Sequence, residues 1–109
     1  MENIKKASEE SEAIKRYIDE NFTKKITLEE LSELVFLSKS QVIRIFRQDI
    51  GKTPYEYILD LKLERSKMLL KNTRLMVKEI AFSLGFSDEH YFSYLFKEKM
   101  GKTPTSYRK

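Results

Sequence analysis

Apolar residues recur along this chain at spacings of three and four, and no stretch sustains a two-residue alternation, so the pattern predicts helices throughout and no strands. Residues 1–8 are polar and read as a tail. A first helix is expected over 9–21, with Ile14, Tyr17 and Ile18 on one face and Phe22 just beyond it. A second begins after Thr27, which stands three residues before Glu30 as in a capping box, and Leu28, Leu31 and Val35 line one side of it. Ser38 and Gln41 repeat that spacing ahead of a third helix, which buries Val42, Ile45 and Phe46 and stops at Gly51. Thr53-Pro54 then supplies an N-cap and a first-turn proline for a fourth helix, running to about Asn72. That helix carries two apolar faces, Ile58, Leu61, Met68 and Leu69 on one and Leu59, Leu63 and Leu70 on the other, as if it served two cores. A fifth helix over 77–84 turns Val77, Ile80 and Leu84 inward and is capped by Gly85. A sixth starts after Asp88, buries Phe92, Leu95 and Phe96, and ends at Gly101, and Thr103-Pro104 opens a short seventh.

The two halves repeat. Leu31, Val35 and Leu37 match Ile80, Leu84 and Phe86 at an offset of 49, and Val42, Ile45, Phe46, Gly51, Thr53, Pro54 and Tyr57 match Phe92, Leu95, Phe96, Gly101, Thr103, Pro104 and Tyr107 at an offset of 50. Each half is a short helix, a tight turn and a second short helix that ends in Gly-Lys-Thr-Pro, at 51–54 and at 101–104. Such a pair is either a helix-turn-helix, whose second helix can enter a major groove, or a plain helical hairpin in a bundle.

Charge changes the balance between those readings. The 109 residues carry a net charge of +4. Residues 1–36 contribute −3, residues 37–78 contribute +6 and residues 79–109 contribute +1, so the positive charge gathers in the middle. A basic stretch faces a polyanion or forms a lysine-rich solvated surface. There is no cysteine and one histidine, His90, so thiolate metal sites, disulfides and histidine clusters are excluded, and no phosphate-cradling glycine loop is present. The expectation is a cytoplasmic, non-enzymatic chain with no catalytic residues, metal or cofactor, and no membrane association.

The outer face of the third helix favours DNA. Opposite Val42, Ile45 and Phe46 lie Ser40, Arg44 and Arg47, flanked by Gln41 and Ile43. Arginine suits guanine, glutamine suits adenine, and an apolar side chain can lie against a thymine methyl. The sixth helix presents His90, Tyr94 and Lys97, with Glu89 and Ser93 beside them. Glu89 repels phosphate but can accept from cytosine. His90 has no partner ligand nearby and fits a groove or phosphate contact better than a metal. Tyr94 fits either a sugar-phosphate contact or a cover over the core. Ser38, Lys39, Lys52, Lys97 and Lys102 are expected at phosphates, although Lys52 and Lys102 fit a solvated surface equally well.

The run ITLEELSELVFLSKSQVIRIFRQDIGKTPYEYI, followed by KEIAFSLGFSDEHYFSYLFKEKMGKTPTSYR, strongly resembles the DNA-binding domain of AraC/XylS-type transcription regulators. Ile80-Ala81, Gly85-Phe86, Asp88, Tyr91-Phe92-Ser93, Phe96-Lys97, Gly101, Thr103-Pro104 and Tyr107-Arg108 fall on the family signature in order. The resemblance implies an all-α fold of seven helices in two helix-turn-helix lobes, about 9–53 and 73–109, joined by a long central helix over 54–72 in a homeodomain-like tandem. It implies that the third and sixth helices read adjacent major-groove segments of promoter DNA, about one turn (~34 Å) apart. Ser40, Gln41, Ile43 and Arg44, and Glu89, His90, Ser93 and Tyr94, fall on the family's base-reading positions. Tyr94 stands where the family often has arginine, and Ile43 where it often has a small polar residue. The resemblance further implies RNA polymerase as a partner and a role as the C-terminal output domain of a longer regulator with a sensory or receiver domain. A small stand-alone activator of the same family is one alternative. A helical protein-interaction module is the alternative of a different class.

Overall fold

The computed structural model describes residues 7–109. Among them are seven helices: α1 Glu9–Asn21, α2 Leu28–Val35, α3 Lys39–Ile50, α4 Pro54–Asn72, α5 Val77–Ser83, α6 Glu89–Met100 and α7 Pro104–Arg108. None is long and apolar enough to cross a membrane. The helices fall into two compact units. The first holds α1, α2, α3 and α4 as far as Leu59. The second holds the Phe22–Lys25 connection, α4 from Asp60 onward, and α5, α6 and α7.

Residues 1–6 of the expected tail lie outside the described residues, but Ser8 is no tail. Its hydroxyl accepts the Ser11 N–H at 3.1 Å and its own N–H donates to the Asp49 carboxylate at 2.9 Å, so it caps α1. Polar composition hid this, because a cap is polar by necessity.

In the first unit α1 packs on α2 and α3, burying Ile14 and Ile18 against Leu31, Val42 and Phe46. Ser11 is also fully buried, and its hydroxyl donates to Asp49 at 2.8 Å. Burial of that hydroxyl is tolerable because its proton has a charged acceptor. Ile45, expected inside, is only half-buried. Both expected capping boxes form. Thr27 accepts from the Glu30 N–H at 3.1 Å and returns its own N–H to the Glu30 carboxylate at 2.9 Å.

Glu30 also accepts the Tyr17 hydroxyl at 2.7 Å. The Tyr17 bond first, and the Thr27 backbone bond next, hold its carboxyl below the ordinary value of 4.5. A depressed carboxylate contributes stability that is present above the unfolded pKa and is lost as pH falls through the folded one. Glu30→Gln, which keeps the cap acceptor but cannot ionise, is therefore expected to lose less stability on acidification from neutrality to about pH 3 than the parent chain. Urea melts at the two pH values measure this, and equal losses in both proteins would refute it.

Helix α4 departs from the two-stripe expectation. Its buried residues beyond Pro54 are Ile58, Lys62, Leu63, Ser66 and Leu70, while Leu59, Leu61 and Leu69 are half-buried and Met68 is exposed. Ile58, Lys62, Ser66 and Leu70 form one stripe at four-residue spacing. Two polar members interrupt its hydrophobic signal. Both find acceptors: the Ser66 hydroxyl donates to the Leu63 carbonyl at 2.6 Å, and the Lys62 ammonium donates to the carbonyls of Leu84 and Lys24. The same ammonium lies 5.5 Å from the centroid of the Phe86 ring. Burial pushes the Lys62 pKa below the usual lysine value.

The fifth helix ends one residue earlier than expected, and Leu84, not Gly85, is its cap. Gly85 follows in the left-handed region at φ +90°, with Gly85 N–H bonded to Phe82 and Phe86 N–H bonded to Ala81. This is a Schellman closure, in which the left-handed residue lies just past the cap. The first unit closes its turn the same way, Leu37 N–H reaching the Ser32 carbonyl at 3.2 Å, but with Phe36 as the left-handed residue at φ +60°.

Candidate nucleic-acid interface

Two features of sequence fix α3. Its N-terminus is closed by the Ser38–Gln41 box, with Gln41 N–H to the Ser38 hydroxyl at 3.1 Å and Ser38 N–H to the Gln41 amide oxygen at 2.9 Å. Its C-terminus is closed by Gly51 at φ +92°, whose N–H bonds to the Arg47 carbonyl. Val42 and Phe46 then anchor one face at zero exposure. Asp49, held by Ser8 and Ser11, ties the last turn to the start of α1.

What remains outward is Lys39, Ser40, Gln41, Ile43, Arg44, Arg47 and Gln48. Ser38 has its oxygen occupied by the cap, yet its hydroxyl proton is left to donate, as a phosphate contact requires. Gln41 is more constrained than its sequence position implies. Its amide oxygen already accepts the Ser38 N–H, so bidentate adenine reading would have to share that oxygen with the cap bond. Ile43 is 38% exposed and lines an apolar groove of about 300 Å³ together with Leu28, Leu31, Pro54, Tyr55 and Ile58. It stands between the outer face and that groove.

Helix α6 is framed alike. Asp88 accepts the His90 N–H at 2.9 Å, Gly101 closes the far end at φ +79°, and Phe92 and Phe96 are buried. Phe92 packs between Phe86 and Phe96, and the Tyr107 ring meets Phe96 edge-on with centroids 5.4 Å apart. His90 and Lys97 are exposed. Tyr94 is 61% exposed, so its ring is not a cover over the core. Glu89 and Ser93 are half-buried. Lys52 and Lys102 are exposed just beyond the two glycine caps.

The family model described as a helix-turn-helix domain matches residues 31–109. The chain belongs to the AraC-type helix-turn-helix family. It is accordingly a DNA-binding module of transcription regulators. The HTH-type transcriptional regulator YdeC of Bacillus subtilis (strain 168) is 34% identical over 93 residues, 85% of this chain and 32% of that protein. The bifunctional transcriptional activator/DNA repair enzyme AdaA of the same organism is 38% identical over 101 residues, 93% of this chain and 48% of that protein. Among solved structures, the C-terminal domain of AraT, a response regulator from Geobacillus stearothermophilus, superposes with a TM-score of 0.89 at 30% identity, covering 95% of this chain and 87% of that one. This AraC-type chain thus spans about a third to a half of the length of those curated relatives, 32% and 48%.

Three features of the site were not legible as roles in the sequence. Asp49, to which the sequence pattern assigned no role, is the acceptor that fixes α3 to α1. Phe36, to which the sequence pattern assigned no role, is 92% exposed. Gln41 carried both a capping and a reading signal, and only geometry shows that they share one oxygen.

Proposed function

We propose that α3 and α6 each enter the major groove of double-stranded promoter DNA and that α3 makes the stronger sequence-specific contacts. The observation that carries this is the outward set Ser40, Arg44 and Arg47 on a helix whose opposite face is locked into the core. Arg44 and Arg47 supply donor forks for guanine edges, with Ser40, Gln41 and Ile43 beside them. On α6 the readers are His90 and Tyr94, flanked by the half-buried Glu89 and Ser93. Ser38, Lys39, Lys52, Lys97 and Lys102 hold the register by phosphate contact.

The chain acts by binding and not by catalysis, in the cytoplasm, as the C-terminal output domain of a longer regulator. Its relatives are two to three times as long, which leaves room in such proteins for a sensory or receiver domain. RNA polymerase is the partner this role calls for.

Titration with a mixed-sequence duplex at two salt concentrations tests the reading. Binding that weakens steeply with salt supports it, because neutralised phosphates regain their counterions. Absence of binding at low salt would instead favour a helical protein-interaction module. Lys97→Ala is expected to weaken binding evenly across sequences and to reduce the salt slope by about 1. A sequence-dependent loss would move Lys97 from the phosphates to the bases.

A further inference from the structure

We infer that the ring of Phe36 is a further DNA contact of the first unit, an apolar contact with the duplex beside the bases that α3 reads. The inference rests on the reading of α3 as a groove-entering helix.

Phe36 adopts φ +60°, and it is the one non-glycine residue with positive φ among the described residues. A bulky L-residue is strained there, because its Cβ crowds the adjacent backbone. The fold itself asks only for a glycine. At the equivalent position of the second unit, 49 residues on, Gly85 makes the same turn with the same closing bond, Phe86 N–H to Ala81 in place of Leu37 N–H to Ser32.

Nor does the core use the Phe36 ring, which is 92% exposed. The chain thus holds the most exposed large apolar side chain among the described residues in a conformation that opposes it. Strain of this kind collects where a side chain has work outside the fold.

Position and charge say what that work is. Phe36 is two residues before Ser38, the N-cap of α3, so their Cα atoms are at most ~7 Å apart. The N-terminal residues of a reading helix are those that meet base edges, and Lys39, Ser40 and Gln41 are all exposed there. A duplex seated on that first turn comes within reach of the ring. From Leu34 to Arg44 there is no carboxylate and there are two cations, Lys39 and Arg44, which suits a polyanion. The second turn differs in both respects, with Gly85 in place of the ring and the carboxylates Asp88 and Glu89 three and four residues after it. A phenylalanine in this setting contributes through apolar contact with a thymine methyl or a sugar face.

The test uses Phe36→Gly, Phe36→Asn and Phe36→Tyr, with Arg44→Ala as a control, on a duplex selected from a random pool. Glycine and asparagine both accept the left-handed conformation, so these variants are expected to melt at or above the parent temperature. They are also expected to bind about fivefold more weakly, with an unchanged salt slope because no phosphate contact is lost. Phe36→Tyr keeps the ring and is expected to retain parental affinity. Stability gained while affinity falls is an outcome that a purely structural residue does not produce. If Phe36→Gly and Phe36→Asn bind as the parent does while Arg44→Ala weakens, the ring does not touch DNA and the reading of α3 stands. If Arg44→Ala also binds as the parent does, the reading of α3 fails with it.

Discussion

Gly85→Ala is expected to destabilise the chain by about 3 kcal/mol, well beyond either of the other glycine-to-alanine changes. All three glycines have positive φ, at +92°, +90° and +79° for Gly51, Gly85 and Gly101. Left-handed backbone costs a residue with a Cβ ~1–2 kcal/mol, and at Gly51 and Gly101 that is the whole penalty, since a Cβ there meets nothing within 4 Å. At Gly85 a Cβ would stand 2.8 Å from the Thr23 carbonyl oxygen and 2.8 Å from the Lys62 ammonium. The first is backbone and cannot swing aside. The second is buried and committed to the Leu84 and Lys24 carbonyls, so displacing it strands a charge and two acceptors. Overpacking of this kind adds ~1–3 kcal/mol. Urea melts of the three alanine variants decide the matter. Equal losses at Gly85 and Gly51 would show that the close approach to Thr23 and Lys62 costs nothing.

Arg44→Ala is expected to weaken binding to the selected duplex by about 2 kcal/mol, roughly 30-fold, and to relax preference at one base position. Arg44 is exposed on the face of α3 opposite Val42 and Phe46, where its five donors form a rigid fork. Arg44→Lys keeps the charge and loses the fork. It should therefore retain the salt slope while losing most of the base preference. Competition against single-base variants of the duplex measures both quantities. A larger loss from His90→Ala or Tyr94→Ala across all sites would reverse the order of the two readers.

The frame of each unit was readable because caps and glycines act locally. Ser38 with Gln41, Thr27 with Glu30, and Gly51 and Gly101 announce helix ends within four residues of themselves, and the structure places those ends where the spacing does. Outward residues were readable for a related reason: once Val42 and Phe46 point inward, 3.6-residue periodicity turns Ser40, Arg44 and Arg47 away.

The interior of α4 was not readable in this way. Lys62 and Ser66 are polar by composition and buried by context, and their burial depends on carbonyls 22 residues away at Leu84 and 3 away at Leu63. No window along the chain shows that Lys62 has an acceptor waiting, so the periodicity split one stripe into two.

Phe36 and Gly85 make the division plainest. The repeat aligns them and predicts one turn twice. The sequence by itself determined that turn and the helices on either side, because these need only neighbouring residues. Tertiary structure alone decided that one copy must be glycine and the other need not be. Thr23 and Lys62 crowd the second turn, and open solvent surrounds the first, leaving a ring there free for contacts outside the fold.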